Sequence, residues 1–201
     1  MRMDLVRHGR TAGNLRGAYV GRGDEPLLAE WVPAKAVPAP GAVYSSPLRR
    51  CLQTAALLYP AAQPVCLQAL IERDFGELEG KTHAEIIRLP GFAEWGMTER
   101  SMPFPGGEEM DAFLARSMGA VWQVLQAAEG AGQEHVAAVT HGGVIMAAMH
   151  MLHPQSAYHD WRCPNAAGYR LHWRGRTLTR WEPLHFGVGE NREGSGPCGE
   201  G

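Results

Sequence analysis

Two histidines stand at the ends of short apolar runs, and a glycine follows each of them. His8 follows residues 3–6 and Arg7, and His141 follows residues 136–140. If both runs are parallel strands of one sheet, the two imidazoles lie at its carboxyl edge, where α/β proteins bind ligands. Imidazole can attack an electrophile or carry a proton, and a guanidinium and glycine amides suit an anion with several oxygens. The pattern predicts a phosphate site, although either motif alone also fits a strand-ending turn with a hydrogen-bonded histidine.

The elements that must position these histidines alternate along the chain. Short apolar runs predict buried parallel strands at residues 3–6, 42–44 and 136–140. Apolar side chains at three-to-four spacing predict helices at residues 47–58 and 108–128. Alternating segments predict a C-terminal β-hairpin at residues 165–173 and 177–181. The expected fold is α/β, with three layers (α/β/α) around a mostly parallel central sheet.

Length and composition fit one domain. The chain has 201 residues, of which 45% are hydrophobic and 20% charged, enough for a substantial core. Residues 1–186 are expected to form this domain, and residues 187–201, rich in Gly and Glu, are expected to be a disordered tail. Because the first strand begins at residue 3 and no apolar run reaches membrane-spanning length, we expect a cytoplasmic protein with no membrane partner.

Charge and cysteine spacing narrow the set of partners. The formal net charge is −2, but residues 1–50 hold eight Lys or Arg against four Asp or Glu, so positive charge gathers around the first motif. The sequence has no broad basic face with aromatic residues, so no nucleic-acid binding is expected. The four cysteines form no Cys-x-x-Cys pair and no His-Glu-x-x-His pattern is present, so we expect no metal or other cofactor. The expected partner is a small phosphate monoester, and the oligomeric state stays open.

Six motifs follow one another in a fixed order. They are Arg7-His8-Gly9 with Thr11 and Asn14; residues 21–27; Ser45-Ser46 with Leu48, Arg50, Gln53, Thr54 and Ala55; Leu70, Glu72, Phe75-Gly76 and Glu79-Gly80; Pro105-Gly106-Gly107-Glu108; and Thr140-His141-Gly142-Gly143. In this order they resemble the motifs of the histidine phosphatase superfamily, in its phosphoglycerate-mutase-like branch, from Met3 to about Leu184. The resemblance implies a phosphoglycerate-mutase-like fold and phosphoryl transfer through a histidine.

The resemblance implies a role for each group that handles the phosphoryl moiety. His8 would be the nucleophile that forms phosphohistidine, with its second ring nitrogen bonded to a nearby backbone carbonyl. Arg7 and Arg50 would bind the phosphoryl oxygens, and a protonated His141 would add a third positive charge. Arg49 is the adjacent alternative to Arg50, but the register of the motif favours Arg50.

Glu72 is the candidate general acid and base, which would protonate the leaving alkoxide and then activate water. Without the motif register it is one of four carboxylates in its segment, which are Glu72, Asp74, Glu77 and Glu79. Four further residues are expected to bind substrate, namely Thr11, Asn14, Gly21 and Gly142. Asn14 would donate from its amide, and backbone amides that follow Gly142 would point at the phosphoryl oxygens.

Chain length bears on the reaction. The chain is shorter than typical mutases of this family and lacks their long insertion before the Pro-Gly-Gly-Glu motif, which favours hydrolysis. Residues 72–80 and this motif most resemble small bacterial phosphatases, among them α-ribazole phosphatases of cobalamin biosynthesis. We therefore expect a metal-independent phosphomonoester hydrolase with α-ribazole 5′-phosphate as candidate substrate. A cofactor-dependent phosphoglycerate mutase and a non-catalytic phosphate-binding regulator stay open, and Arg10 and Glu109 replace the family's usual Glu and Ser.

Overall fold

The computed structural model describes residues 1–34, 36–90 and 104–187. Within these residues one sheet has six strands, in the order β3-β2-β4-β1-β5-β6. The strands are β1 (Arg2–Arg7), β2 (Ala42–Ser45), β3 (Val65–Cys66), β4 (His135–Thr140), β5 (Ala167–Arg174) and β6 (Thr177–His185). Strands β1 to β4 run parallel, and the hairpin β5-β6 joins β1 in the antiparallel direction. The predicted α/β fold with a mostly parallel sheet and a C-terminal hairpin is confirmed.

Helices cover both faces of the sheet. They are α1 (Ala12–Arg16), α2 (Arg49–Leu58), α3 (His83–Ile86), α4 (Met110–Gly130) and α5 (Gly142–Leu152), with short 3₁₀ turns at Gln68–Leu70, Gly76–Leu78 and Tyr158–Trp161. Side chains of β1 alternate between two cores, because successive residues of a strand point to opposite faces. Met3 and Leu5 pack with α4 and α5, whereas Val6 packs with α2. The two cores produce the three expected layers.

Several element boundaries differ from the prediction. Helix α2 begins at Arg49 rather than at residue 47, and Leu48 is its extended N-cap. Helix α4 begins at Met110 rather than at residue 108 and continues to Gly130. Strand β6 reaches His185, so the hairpin is longer than predicted. Of the predicted disordered tail, residues 188–201 lie outside the described residues. No helix in the described ranges is long and apolar enough to cross a membrane.

Candidate active site

His8 and His141 leave the sheet side by side. Strands β1 and β4 are parallel neighbours whose register places Arg7 opposite Thr140, so a histidine follows each strand end. The His8 amide donates to the Thr140 carbonyl over 2.9 Å. The centroids of the two imidazole rings lie 5.2 Å apart, with 64° between the ring planes. Parallel pairing of the two strands therefore brings together the two motifs on which the sequence argument rests.

The His8 ring is held in one tautomer and is neutral. Its Nδ1 lies 2.6 Å from the Gly9 carbonyl oxygen, and because a carbonyl only accepts, Nδ1 carries the proton and Nε2 keeps a lone pair. Burial, followed by the positive charges of Arg50 and Arg7, holds the pKa of the His8 imidazole well below its ordinary value. The ring therefore has the form that a nitrogen nucleophile needs.

The Gly9 peptide that fixes this tautomer is held on both sides. Its N–H donates to the Thr54 hydroxyl over 2.9 Å, and its carbonyl accepts from the Asn165 amide over 3.2 Å. A Cβ at position 9 would lie 2.5 Å from the Trp31 ring, so this close approach requires glycine. Asn165 also donates to the His8 carbonyl over 3.1 Å. Sequence reasoning missed Asn165, because it stands in the loop before the hairpin and no local pattern marks it.

Arg7 lies against the start of α5. One terminal nitrogen donates to the Cys163 carbonyl over 2.7 Å. Its Nε is buried and has no hydrogen-bond partner in the part of the chain that the structure describes. A Cβ built on Gly142 would lie 3.2 Å from this Nε, so the guanidinium packs closely on the glycine. The Arg7 side chain lines the cavity, and a guanidinium beside the first turn of a helix can bind an oxyanion.

Arg50 makes contacts other than those expected of a phosphoryl-binding arginine. It is fully buried, and its terminal nitrogens donate to the carbonyls of Gly21 and Gly23 over 2.7 and 2.5 Å. Its Nε donates to Nδ1 of His141 over 3.3 Å. Arg50 is not among the residues that line the cavity in the described part of the chain. In this structure it fixes the loop before β2, and its charge lowers the pKa of His8.

The hydrogen bonds of His141 in this structure are those of a neutral ring, and the third positive charge that the resemblance implies would require its protonation. Because a guanidinium only donates, Nδ1 of His141 accepts from Arg50 and Nε2 carries the proton. That proton is donated to the Ser46 hydroxyl over 2.8 Å. Burial, followed by the charge of Arg50, holds the pKa of His141 well below its ordinary value. The ring links Arg50 to Ser46 and is only 5.2 Å from the His8 ring.

Of the four neighbouring carboxylates, all within the described ranges, Glu72 is the one that lines the cavity. Its two oxygens accept from the amides of Arg73 and Gly143, each over 2.9 Å. Burial raises the pKa of the Glu72 carboxyl group, and the hydrogen bonds from the two backbone amides partly oppose this effect. A carboxyl group with a raised pKa can be protonated at one stage of a reaction and ionised at another. Asp74 and Glu79 instead accept hydrogen bonds from loop amides.

The residues predicted to bind substrate separate into two groups. Asn14 lines the cavity with Gly142, whereas Thr11 and Gly21 are absent from the lining within the described ranges. Thr11 caps α1 by accepting from the Asn14 amide, and the Gly21 amide donates to Glu79 over 3.0 Å. The side-chain oxygen of Asn14 accepts from Asn165 over 3.0 Å, which turns the Asn14 side chain toward the His8 loop.

The site opens into a cavity of about 650 Å³, which is larger than a phosphate group needs. Much of its wall consists of large apolar side chains, which are Tyr19, Phe75, Phe104, Met110, Met146 and Tyr158. Basic side chains also line it, namely Arg73, His83, His159 and Arg162. Among the described residues, no group of three or more His, Cys, Asp or Glu side chains is placed to hold a metal ion. The cavity can therefore hold a phosphate ester together with a sizeable leaving group.

A comparison of the whole sequence with protein families agrees with the geometry of this site. The profile of the histidine phosphatase superfamily (branch 1) matches residues 3–182. The chain belongs to this superfamily. The match covers both histidines and Glu72, the residues that the fold gathers at the carboxyl edge of the sheet.

The proteins that this chain resembles are named for more than one activity. A metal-independent phosphoserine phosphatase of Arabidopsis thaliana is 32% identical over 159 residues, which are 71% of this chain and 65% of the relative. The 2,3-bisphosphoglycerate-dependent phosphoglycerate mutase 2 of Gloeobacter violaceus is 32% identical over 158 residues, 71% of each chain. The crystal structure of the α-ribazole phosphatase from Shigella flexneri has a TM-score of 0.73 at 22% identity and covers 96% of this chain and 97% of that one. The family and the first relative support phosphatase activity.

In this histidine phosphatase the Pro-Gly-Gly-Glu motif supports the segment that carries Glu72. The Glu108 carboxylate accepts from two nitrogens of Arg116 over 2.8 and 2.7 Å. Arg116 in turn donates to the carbonyls of Ala69 and Ile71 over 3.0 and 2.7 Å. Because two-point pairing is geometrically specific, Glu108 holds the Arg116 guanidinium in place. Arg116 in turn fixes the backbone that leads into Glu72.

Proposed function

We propose that the protein hydrolyses small phosphate monoesters without a metal ion, through a phosphohistidine formed on His8. The observation that carries the proposal is the neutral His8 ring, whose Nδ1–H is fixed on the Gly9 carbonyl, so that Nε2 holds a lone pair. His8 lines one cavity together with Arg7 and Glu72. The metal-independent phosphoserine phosphatase among the relatives supports the proposal.

The first step forms the phosphoenzyme. Nε2 of His8 attacks phosphorus, a P–N bond forms and the bond between phosphorus and the ester oxygen breaks. The electron pair of the broken bond goes to the ester oxygen, which takes the proton of Glu72. The Arg7 guanidinium, which lines the cavity, stabilises the charge on the phosphoryl oxygens, and the Gly9 carbonyl stabilises the positive charge that develops on the imidazole.

The second step returns the enzyme to its starting state. Glu72, now ionised, takes a proton from water while the water oxygen attacks phosphorus. The P–N bond breaks, its electron pair returns to Nε2 of His8, and inorganic phosphate leaves. One carboxyl group thus serves both steps, which its raised pKa permits.

The two alternative functions differ in support. A cofactor-dependent phosphoglycerate mutase is the second candidate, because the Gloeobacter relative has that name and is 32% identical. A non-catalytic regulator would need no nucleophile or proton carrier, yet His8 and Glu72 both line the cavity. A requirement for 2,3-bisphosphoglycerate would identify the mutase.

Relatives support two substrate hypotheses. The likeness to the Shigella protein extends to the fold, and it is the basis for keeping α-ribazole 5′-phosphate and a place in cobalamin biosynthesis as one hypothesis. The Arabidopsis relative supports phosphoserine as the other. Either substrate is a small phosphate monoester, as the proposed reaction requires, and a cytoplasmic location remains part of the proposal.

The decisive experiment compares His8→Ala with His172→Ala, a control on β5 outside the cavity lining. Phosphate release from p-nitrophenyl phosphate is measured in the presence of a chelator, and the enzyme is quenched in alkali, where phosphohistidine survives. We expect the control and the parent protein to turn over and to carry phosphate on His8, and His8→Ala to do neither. Turnover by His8→Ala would overturn the intermediate, and loss of parent activity in chelator would overturn the metal-free reaction.

A further inference from the structure

We propose that Asn165 is a positioning residue, which turns the amide of Asn14 so that its N–H groups face the phosphoryl group. The inference rests on the proposed hydrolysis of phosphate monoesters and adds a residue to that site. Asn165 stands in the loop before β5 and is absent from the cavity lining within the described ranges, so it can act on a substrate only through a neighbour. Asn14 lines the cavity and is that neighbour.

The direction of the Asn165 amide is fixed by backbone groups. Its nitrogen lies 3.1 Å from the His8 carbonyl oxygen and 3.2 Å from the Gly9 carbonyl oxygen. Because a carbonyl oxygen only accepts, the nitrogen and not the oxygen of the Asn165 amide must face these groups. The same nitrogen lies 3.0 Å from Oδ1 of Asn14. Its two hydrogens therefore serve three acceptors, of which one is the side-chain oxygen of Asn14.

The direction of the Asn14 amide follows from its two partners. Its Oδ1 accepts from the Thr11 N–H over 3.2 Å and from Asn165 over 3.0 Å. Both partners are donors, so the atom between them is the oxygen of the Asn14 amide, and both of its lone pairs are used. The Asn14 nitrogen donates to no group in the described part of the chain. Because Asn14 lines the cavity, its two N–H groups are left for a ligand there.

The backbone around Asn165 is held by the strand end that carries the nucleophile. The Ala166 N–H donates to the carbonyls of Arg7 and His8, each over 3.2 Å, and the Ala166 carbonyl accepts from Phe186 over 3.0 Å. Ala166 has a φ of 54°, and it is the one residue other than glycine with a positive φ in the described ranges. Alanine adopts this conformation at a cost in energy, so the surrounding contacts must hold it there. Asn165 is therefore fixed before a substrate arrives.

The fixed direction of the Asn14 amide matters for the reaction. If this amide were turned over, its oxygen would face the phosphoryl oxygens, so that acceptors would meet and a donor would be lost. Donors that already point at the developing charge stabilise it most, because they need not reorient during the reaction. Asn165 contributes to the reaction by preventing this rotation.

A double-mutant cycle on kcat/KM for p-nitrophenyl phosphate tests the proposal. Asn165→Ala is expected to lower kcat/KM by about 10- to 100-fold, because a donor is displaced, and Asn14→Ala by at least as much, because the donor is removed. In the double variant we expect a further loss of at most about 3-fold beyond Asn14→Ala, since no donor is left to direct. A purely structural Asn165 would give losses that multiply. That result, or the parent kcat/KM in Asn165→Ala, would overturn the proposal.

Thr179→Ala is the matched control. The Thr179 hydroxyl donates to the His172 carbonyl over 3.0 Å in the same hairpin and lies outside the described cavity lining, so this variant should keep the parent kcat/KM. Urea titrations show whether each variant is folded under the assay conditions. If Asn165→Ala is not folded, Asn165→Ser, which keeps one shorter donor, takes its place in the cycle, and the same coupling to Asn14→Ala is expected.

Calorimetric binding of inorganic phosphate tests the role of Asn165 apart from hydrolysis. We expect Asn165→Ala and Asn14→Ala each to raise the Kd for phosphate by about 10-fold, and Thr179→Ala to bind phosphate as the parent does. A Kd that Asn14→Ala raises and Asn165→Ala leaves unchanged would contradict the proposal. If the parent protein binds phosphate but fails to hydrolyse p-nitrophenyl phosphate, the proposed hydrolysis is rejected, and the phosphate affinities alone decide the role of Asn165.

Discussion

At the scale of single residues, the proposed reaction requires one carboxyl group to give up and recover a proton in each turnover. Glu72 is buried, which raises its pKa, but two hydrogen bonds of 2.9 Å from backbone amides keep the ionised form accessible. His8 needs no such change, because its pKa is already far below neutral pH. In the proposed reaction the two groups therefore have different roles: His8 would supply the lone pair and Glu72 would supply the proton.

Glu72→Gln should separate the two steps. With an alkyl phosphate, we expect kcat to fall by about 100- to 10,000-fold, because no acid protonates the alkoxide. With p-nitrophenyl phosphate the first step should be nearly normal, since p-nitrophenolate leaves without protonation. Rapid-quench measurements should then show a burst of p-nitrophenol and accumulation of phosphoenzyme. Equal losses for both substrates and no burst would mean that Glu72 is not the proton donor.

Residue types and their order predicted which side chains meet at this site, but not every contact. His8, Arg7 and Glu72 could be anticipated, because each belongs to a motif with fixed spacing. The contacts of Arg50 could not be predicted, since they depend on carbonyls of a loop that has no regular secondary structure. Asn165 was missed for a similar reason: its partners are backbone groups more than 150 residues away.

At the scale of elements, the start of α5 is the part that most constrains the site. Gly142 packs on Arg7, and Gly143 donates its amide to Glu72. A Cβ at position 143 would lie 2.2 Å from a Glu72 oxygen, so one of the two must move. The α4 boundary was predicted two residues early because Glu108 continues the helical pattern, but in the structure it precedes the helix and binds Arg116.

Gly143→Ala should therefore reduce activity without unfolding the protein. We expect kcat to fall by about 10- to 100-fold, because a small displacement of a reacting group has effects of this size. Gly119→Ala is the matched control, because position 119 is an exposed site in α4 with nothing within 4 Å of an added Cβ. This control should raise the free energy of unfolding by up to about 1 kcal/mol and leave kcat unchanged. Full activity of Gly143→Ala would show that the Glu72 position is less restricted than the structure indicates.

At the scale of the whole molecule, burial of two histidines at the edge of the sheet makes the folded protein less stable in acid. His8 and His141 are both buried as neutral rings at the edge of β1 and β4. Their pKa values lie well below 6.5 in the folded protein, whereas in the unfolded chain they bind protons at their ordinary pKa. Below about pH 6.5 the unfolded state therefore binds more protons, so the free energy of unfolding falls as the pH is lowered.

This linkage predicts how stability changes between pH 7.5 and about pH 5. Each histidine should reduce the free energy of unfolding by up to about 1.4 kcal/mol per pH unit below its unfolded pKa. Glu72 acts in the opposite direction, because its raised pKa lets the folded state bind a proton more readily than the unfolded chain does. Urea titrations at several pH values should show a slope that His8→Gln reduces by about half and Glu72→Gln steepens. A slope that His8→Gln leaves unchanged would mean that His8 binds a proton as readily in the folded protein as in the unfolded chain, so that below about pH 6.5 most of the rings would have no lone pair with which to attack phosphorus.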